Sequence, residues 1–212
     1  MFRLIIILVA LIGTTSAHAN DAFREDITFA RNIYLDATDG NKRNVRKAIQ
    51  HMARLEAKYP NHPLVQAFKG GALSLRGLDV GDRPLNRLRN TEEGLGYIDR
   101  ALRQLDRFDA EFIDAAETQL VAAYVFVHLP DSLFHRLKEG AILVEQLLTH
   151  HRLSDMPAEL QAAIYFAAAT AAEKLQRRED YKRSLALTSA TYPDGKNGKA
   201  ARAKLEELAG EP

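Results

Sequence analysis

The chain contains no cysteine, so disulfides, thiol catalysis and Cys-ligated metal sites are excluded. At 212 residues it is long enough to stabilise itself by burial without such staples. Histidine is the soft metal ligand that remains, and its seven copies never form a His-Glu-x-x-His run. There is no acid-rich calcium loop, Gly-x-Ser-x-Gly elbow, phosphate loop or dinucleotide fingerprint. Aromatic residues make up 8% and are too scattered to suggest base stacking. An excess of one charge is missing too, with 29 Lys and Arg against 28 Asp and Glu. Overall charge therefore makes no case for a nucleic-acid or anionic-membrane binder.

Long apolar runs are also scarce. The clearest, Leu4 to Ile12, is far short of the ~20 residues that a spanning helix needs. Arg3 precedes it and Ala17-His18-Ala19 follows, which is the order of a secretory signal ending in a small-residue cleavage site. The expectation is a leader at 1–19, a mature start at Asn20, and a soluble periplasmic domain at 20–212. Arg3 is the only charged residue of that leader, so residues 20–212 carry equal numbers of acids and bases.

What is present reads as helix. No strand-like alternation bounded by hairpin turns occurs after residue 22. Helical patterns fall near 23–37, 42–58, 63–77, 85–106, 109–128, 132–151, 157–175, 178–191 and 197–209. Between them stand Asp39-Gly40-Asn41, Pro60-Asn61-His62-Pro63, Gly77 to Pro84, Pro130-Asp131, Asp155-Met156-Pro157 and Pro193-Asp194-Gly195. Pro63 and Pro157 fit first helical turns, and Asp131 and Asp155 fit N-terminal caps.

A repeat recurs in every second helix. Ala48, Met52 and Leu55 form a triplet at spacings of four and three. Gly94, Ile98 and Ala101 repeat it, then Gly140, Val144 and Leu147, and more loosely Ser184, Thr188 and Thr191. Their leading residues lie 46, 46 and 44 positions apart. Such a period indicates stacked helix pairs, none able to bury its apolar face alone. Two adjacent glycines, Gly70 and Gly71, interrupt an apolar helix at a cost of about 1 kcal/mol each relative to alanine. Close approach of a neighbouring helix offsets that cost, and the expected contact is Gly71 on Gly94.

These residues resemble the tetratricopeptide repeat family. The segment KAIQHMARLEAKYP (47–60) is similar to its second helix, with Ala48 and Pro60 twelve apart. In AATAAEKLQRREDYKRSLAL (168–187), Ala172 and Ser184 are also twelve apart, with Tyr181 at the inter-helix aromatic position. The middle units depart from the pattern: 23 residues separate Gly71 from Gly94, and 17 separate Ala123 from Gly140. Extra residues must lie between those paired helices. The 46-residue period also exceeds the family's usual ~34 and falls in the range of HEAT-like repeats. The resemblance implies an all-α, right-handed helix-pair solenoid of about four degenerate pairs plus a C-terminal capping helix. It further implies binding of a protein or peptide in a groove lined by first helices, with no catalysis and no cofactor.

His150 and His151 adjoin, and neighbours on a helix point about a hundred degrees apart, so they do not share one metal. His135 and Glu139 are spaced to share a helix face, without completing a metal set. Asp109, Glu111, Asp114 and Glu117 crowd one helix start, where the dipole favours acids irrespective of function. Acid–base work would require their burial. Arginine is the stronger signal: Arg76, Arg83, Arg87 and Arg89 fall on what reads as the longest loop and the helix after it. Guanidinium groups there can hold carboxylates or phosphates bidentately. Lys69 joins them from the preceding helix. The basic run Lys42, Arg43, Arg46, Lys47 and Arg54 reads as a solvated face. The expected function is a periplasmic binding or scaffold module holding a protein segment or other extended ligand. A hydrolase-type enzyme with its site in the groove is the alternative, and it requires ionisable groups converging on one pocket.

Overall fold

The computed structural model describes residues 13–38, 41–105, 107 and 111–210. Ten α-helices account for nearly all regular structure among them, and no strand occurs there. They are α1 (Gly13–Ala37), α2 (Lys42–Lys58), α3 (Pro63–Gly77), α4 (Pro84–Leu105) and α5 (Phe112–His128). Then follow α6 (Asp131–Phe134), α7 (Leu137–Leu148), α8 (Ala158–Lys174), α9 (Arg178–Thr191) and α10 (Lys196–Ala209). The charged and apolar parts of the expected leader, residues 1–12, lie outside the described residues. Helix α1 runs unbroken through the expected cleavage point after Ala19. No helix among the described residues is long and apolar enough to cross a membrane.

Local chemistry sets the helix ends. The Asn41 side chain accepts the Arg43 and Asn44 backbone N–H groups and so caps α2. Pro63 opens α3, where its missing N–H costs nothing. Asn61 takes the left-handed conformation, φ 64°, which lets the chain turn sharply between α2 and α3. Helix α8 ends with Gln176 at φ 58°. The Arg177 N–H reaches back to the Ala172 carbonyl at 2.8 Å, closing a Schellman motif.

The structure departs from the sequence expectations at three helix ends. The helix expected at 132–151 is two helices, because His135 adopts φ 55° and breaks it. His135 and Glu139 therefore do not share a helix face. Asp131 does not cap its own helix. Its carboxylate accepts the Leu137 N–H at 2.9 Å and caps the following one. Asp155 closes a short 3-10 turn, Leu153–Asp155, and Pro157 takes the cap position of α8 without a side-chain bond. The extra residues of the second pair lengthen α4 at its start, which leaves a connection of only 78–83. Those of the third pair form α6.

Packing follows chain order. Helix α1 packs on α2, α3 on α4, α5 on α7, and α8 on α9, with α10 covering α8 and α9. Each second helix also touches the next first one, and α3 bridges α1 and α5. The repeated triplets are the buried faces of the second helices: Ala48, Met52 and Leu55 on α2, then Gly94, Ile98 and Ala101 on α4. On α7 the buried residues are Gly140, Val144 and Leu147. The core divides along the chain into three clusters. The largest spans α1 to α5, the second α5, α7 and α8, and the third α8 to α10. Lys196, at the start of α10, lies 3.4 Å from the Thr38 hydroxyl just past α1, so the last helix returns to the first.

The glycine pair serves two neighbours rather than one. A Cβ on Gly70 would lie 2.6 Å from the Gly94 carbonyl oxygen, so Gly70 is the partner of Gly94. Gly71 faces the other way, where a Cβ would meet the Tyr34 hydroxyl on α1 at 2.6 Å. Helix α3 thus turns a glycine towards α4 and another towards α1 because it is pressed from both sides.

Candidate functional site

The five basic residues singled out in the sequence separate into two groups. Lys69 is partly buried, and its ammonium binds the Glu56 carboxylate and the Tyr97 hydroxyl, linking α2, α3 and α4. It also lies 4.3 Å above the Tyr97 ring. These contacts hold its pKa above the ordinary lysine value against the opposing effect of burial. Arg87 donates to the Gly77 carbonyl at 3.1 Å and so finishes α3. Both are occupied inside the fold.

Arg76, Arg83 and Arg89 are exposed and form no ion pair among the described residues. They stand around the corner where α3 turns into α4. The local acids are already engaged. Asp79 pairs with Lys42 of α2 at 2.9 Å and accepts the Gly81 N–H. Asp82 accepts the Arg83 N–H and the Asn86 amide. These bonds, from Lys42 for Asp79 and Asn86 for Asp82, hold both carboxyls below their ordinary range. Within 76–89 the connection is accordingly a six-residue turn, 78–83, with Arg83 at its end and Arg76, Arg87 and Arg89 presented by the flanking helices.

A second cluster joins α1 to α5. Arg31 grips Glu117 with two nitrogens, and Arg24 bridges Asp114 and Glu111. Asp114 is 3% exposed and Glu117 7%. Burial pushes both carboxyls above their ordinary values, while the two guanidiniums pull the other way. His62 lies against them, its Nε2 3.9 Å from Asp114 and its ring 4.2 Å from that of Phe23. Burial, with the Arg24 charge, pushes its pKa down to about 4. The sequence placed the acids correctly at a helix start but carried no sign of their burial. An available cue was the i, i+3 spacing of Asp114 and Glu117, with Arg24 and Arg31 on one face of α1 two turns apart. Asp109 lies outside the described residues.

This cluster is built to hold two helices together. A shallow concavity on the outer face of α1 is lined by Arg24, Glu25, Asp26, Thr28, Phe29 and Asn32. Neither Asp114 nor Glu117 reaches it. Elsewhere, the rings of His150 and His151 stack at 4.6 Å, with Phe112 against His150. No trio of His, Asp or Glu among the described residues gathers in metal-binding geometry. Compared with family models, curated proteins and solved structures, the chain matches none.

Proposed function

We propose that the chain is a tetratricopeptide-like helix-pair module that works in the periplasm by binding and not by catalysis. Its partner is a protein segment or other extended ligand of the cell envelope. The α3–α4 corner supplies the anionic contact that positions the module on its target. The observation that carries this reading is the set of exposed guanidiniums Arg76, Arg83 and Arg89, none of which forms an ion pair among the described residues. The order of helix packing and the buried triplets of the second helices support the array form, in which neighbouring pairs share a core.

The test is affinity capture from envelope extract with wild type and with the combined Arg76→Gln, Arg83→Gln, Arg89→Gln variant. The fold should survive, because exposed changes shift stability by under about 0.5 kcal/mol each. Recovery of the partner should fall and lose salt sensitivity. Equal recovery at all ionic strengths would remove the corner from the binding surface.

A further inference from the structure

Two aliphatic side chains project from that same corner. Val80 in the turn is 85% exposed and Leu85 in the first turn of α4 is 71% exposed. Leu78 between them and α3 is also partly exposed. Nothing among the described residues covers them. Leu85 and Arg89 lie four residues apart and share one face of α4. Arg83 flanks Leu85 on the other side. Arg76 comes from the last turn of α3, close enough to influence Asp82. Lys42 reaches the turn from α2, with Arg46 one turn further on the same helix face. Two acids flank Val80 in the turn, Asp79 paired with Lys42 and Asp82 held by the Arg83 N–H and the Asn86 amide, and Glu92 and Glu93 follow Arg89 by three and four residues on α4.

We propose that this corner docks the protein on an anionic phospholipid surface, with Val80 and Leu85 entering the headgroup boundary and Arg76, Arg83 and Arg89 meeting phosphates. The inference rests on the reading of the corner as an anionic contact and names what it meets. Shape selects lipid over an acidic peptide. Side chains this exposed stand on a convex corner, whereas a peptide needs a groove to bury its own backbone and side chains. A convex apolar tip flanked by Arg76, Arg83 and Arg89 matches a plane that is apolar below and negative at its surface. The neutral overall charge is compatible with this, because the field at an interface is set by charges within a Debye length, about 10 Å.

The experiment is sedimentation of the mature chain with vesicles of phosphatidylglycerol and phosphatidylethanolamine, and with vesicles of phosphatidylcholine alone. Wild type should sediment with the anionic vesicles, less so as salt rises, and stay in solution with the neutral ones. The Val80→Ser, Leu85→Ser variant and the Arg83→Gln, Arg89→Gln variant should each lower partition by at least about tenfold. Ile142→Ser, an exposed change on α7, serves as the control and should leave partition unchanged. Failure of wild type to sediment, or equal partition of all variants, overturns the proposal. If vesicles fail while the arginine variant still loses its envelope protein, the lipid is wrong and the binding module stands.

Discussion

A methyl group added at Gly70 would point at backbone, since its nearest atoms include the Gly94 carbonyl oxygen and the Ile98 amide nitrogen. At Gly71 the obstacle is the ring of Tyr34, which has a side chain's freedom to shift. Gly70→Ala and Gly94→Ala should therefore destabilise by about 1–3 kcal/mol. Gly71→Ala should cost less, because Tyr34 can move aside while alanine's helix propensity, a gain common to all three sites, returns about 1 kcal/mol. Urea denaturation of the three variants decides this, and a Gly71 cost equal to that of Gly70 would refute it. His62 supplies a second residue-scale prediction. Its folded pKa of about 4 lies below the ordinary value near 6.5, so the folded state takes up its proton less readily than the unfolded state. The stabilisation from keeping it neutral is complete above pH ~6.5 and is lost as pH falls towards ~4. The loss is at most about 3 kcal/mol, less whatever solvent at its edge screens. Asp114 and Glu117 act with the opposite sign, since their raised values favour proton uptake by the folded state. His62→Asn places a good capping residue at the start of α3 and should flatten stability between pH 7 and pH 5. An unchanged slope would place the acid sensitivity elsewhere.

Helix ends and helix pairings set the next scale. Gln176 occupies a left-handed position that glycine fills without strain. Gln176→Gly should stabilise by up to about 1 kcal/mol, readable as a higher melting temperature. Between elements, the pair Arg31–Glu117 ties α1 to α5 across α3. Glu117→Gln leaves a guanidinium among buried groups, and should destabilise by about 2–4 kcal/mol, towards the cost of breaking a buried pair. Adding Arg31→Met should recover part of that loss, since removing both charges also removes their desolvation cost. A double-mutant cycle measures the coupling, and strict additivity would show that the pair does not link the helices. The helix boundaries themselves were largely legible from proline, glycine and apolar spacing. The break at His135 was not, because nothing local forbids a continuous helix there. It follows from Asp131 capping α7 instead of α6.

Across the whole molecule, the core is divided among three clusters strung along the chain, and α10 closes the last. Removing residues 196–212 should uncover Tyr181 and Leu185 and lower the melting temperature by roughly 5 °C or more. The N-terminal cluster should still protect its amides in hydrogen exchange. Collapse of the entire chain to an unfolded state would show instead that the return contact from Lys196 to Thr38 makes it one indivisible unit.

Composition and spacing alone determined that the described chain is helical, where most helices start and stop, and which faces of the second helices are buried. These are properties of neighbours within a few turns, so local preference and apolar period suffice to specify them. Tertiary structure decided which cations remain free. Lys69 and Arg87 look no different in sequence from Arg83 and Arg89, yet the first two are consumed by Glu56, Tyr97 and the end of α3. It also decided that Asp114 and Glu117 are buried by α1, some ninety residues away in the chain. Pairing and burial depend on which distant helix arrives, and a sequence read one turn at a time holds no record of that.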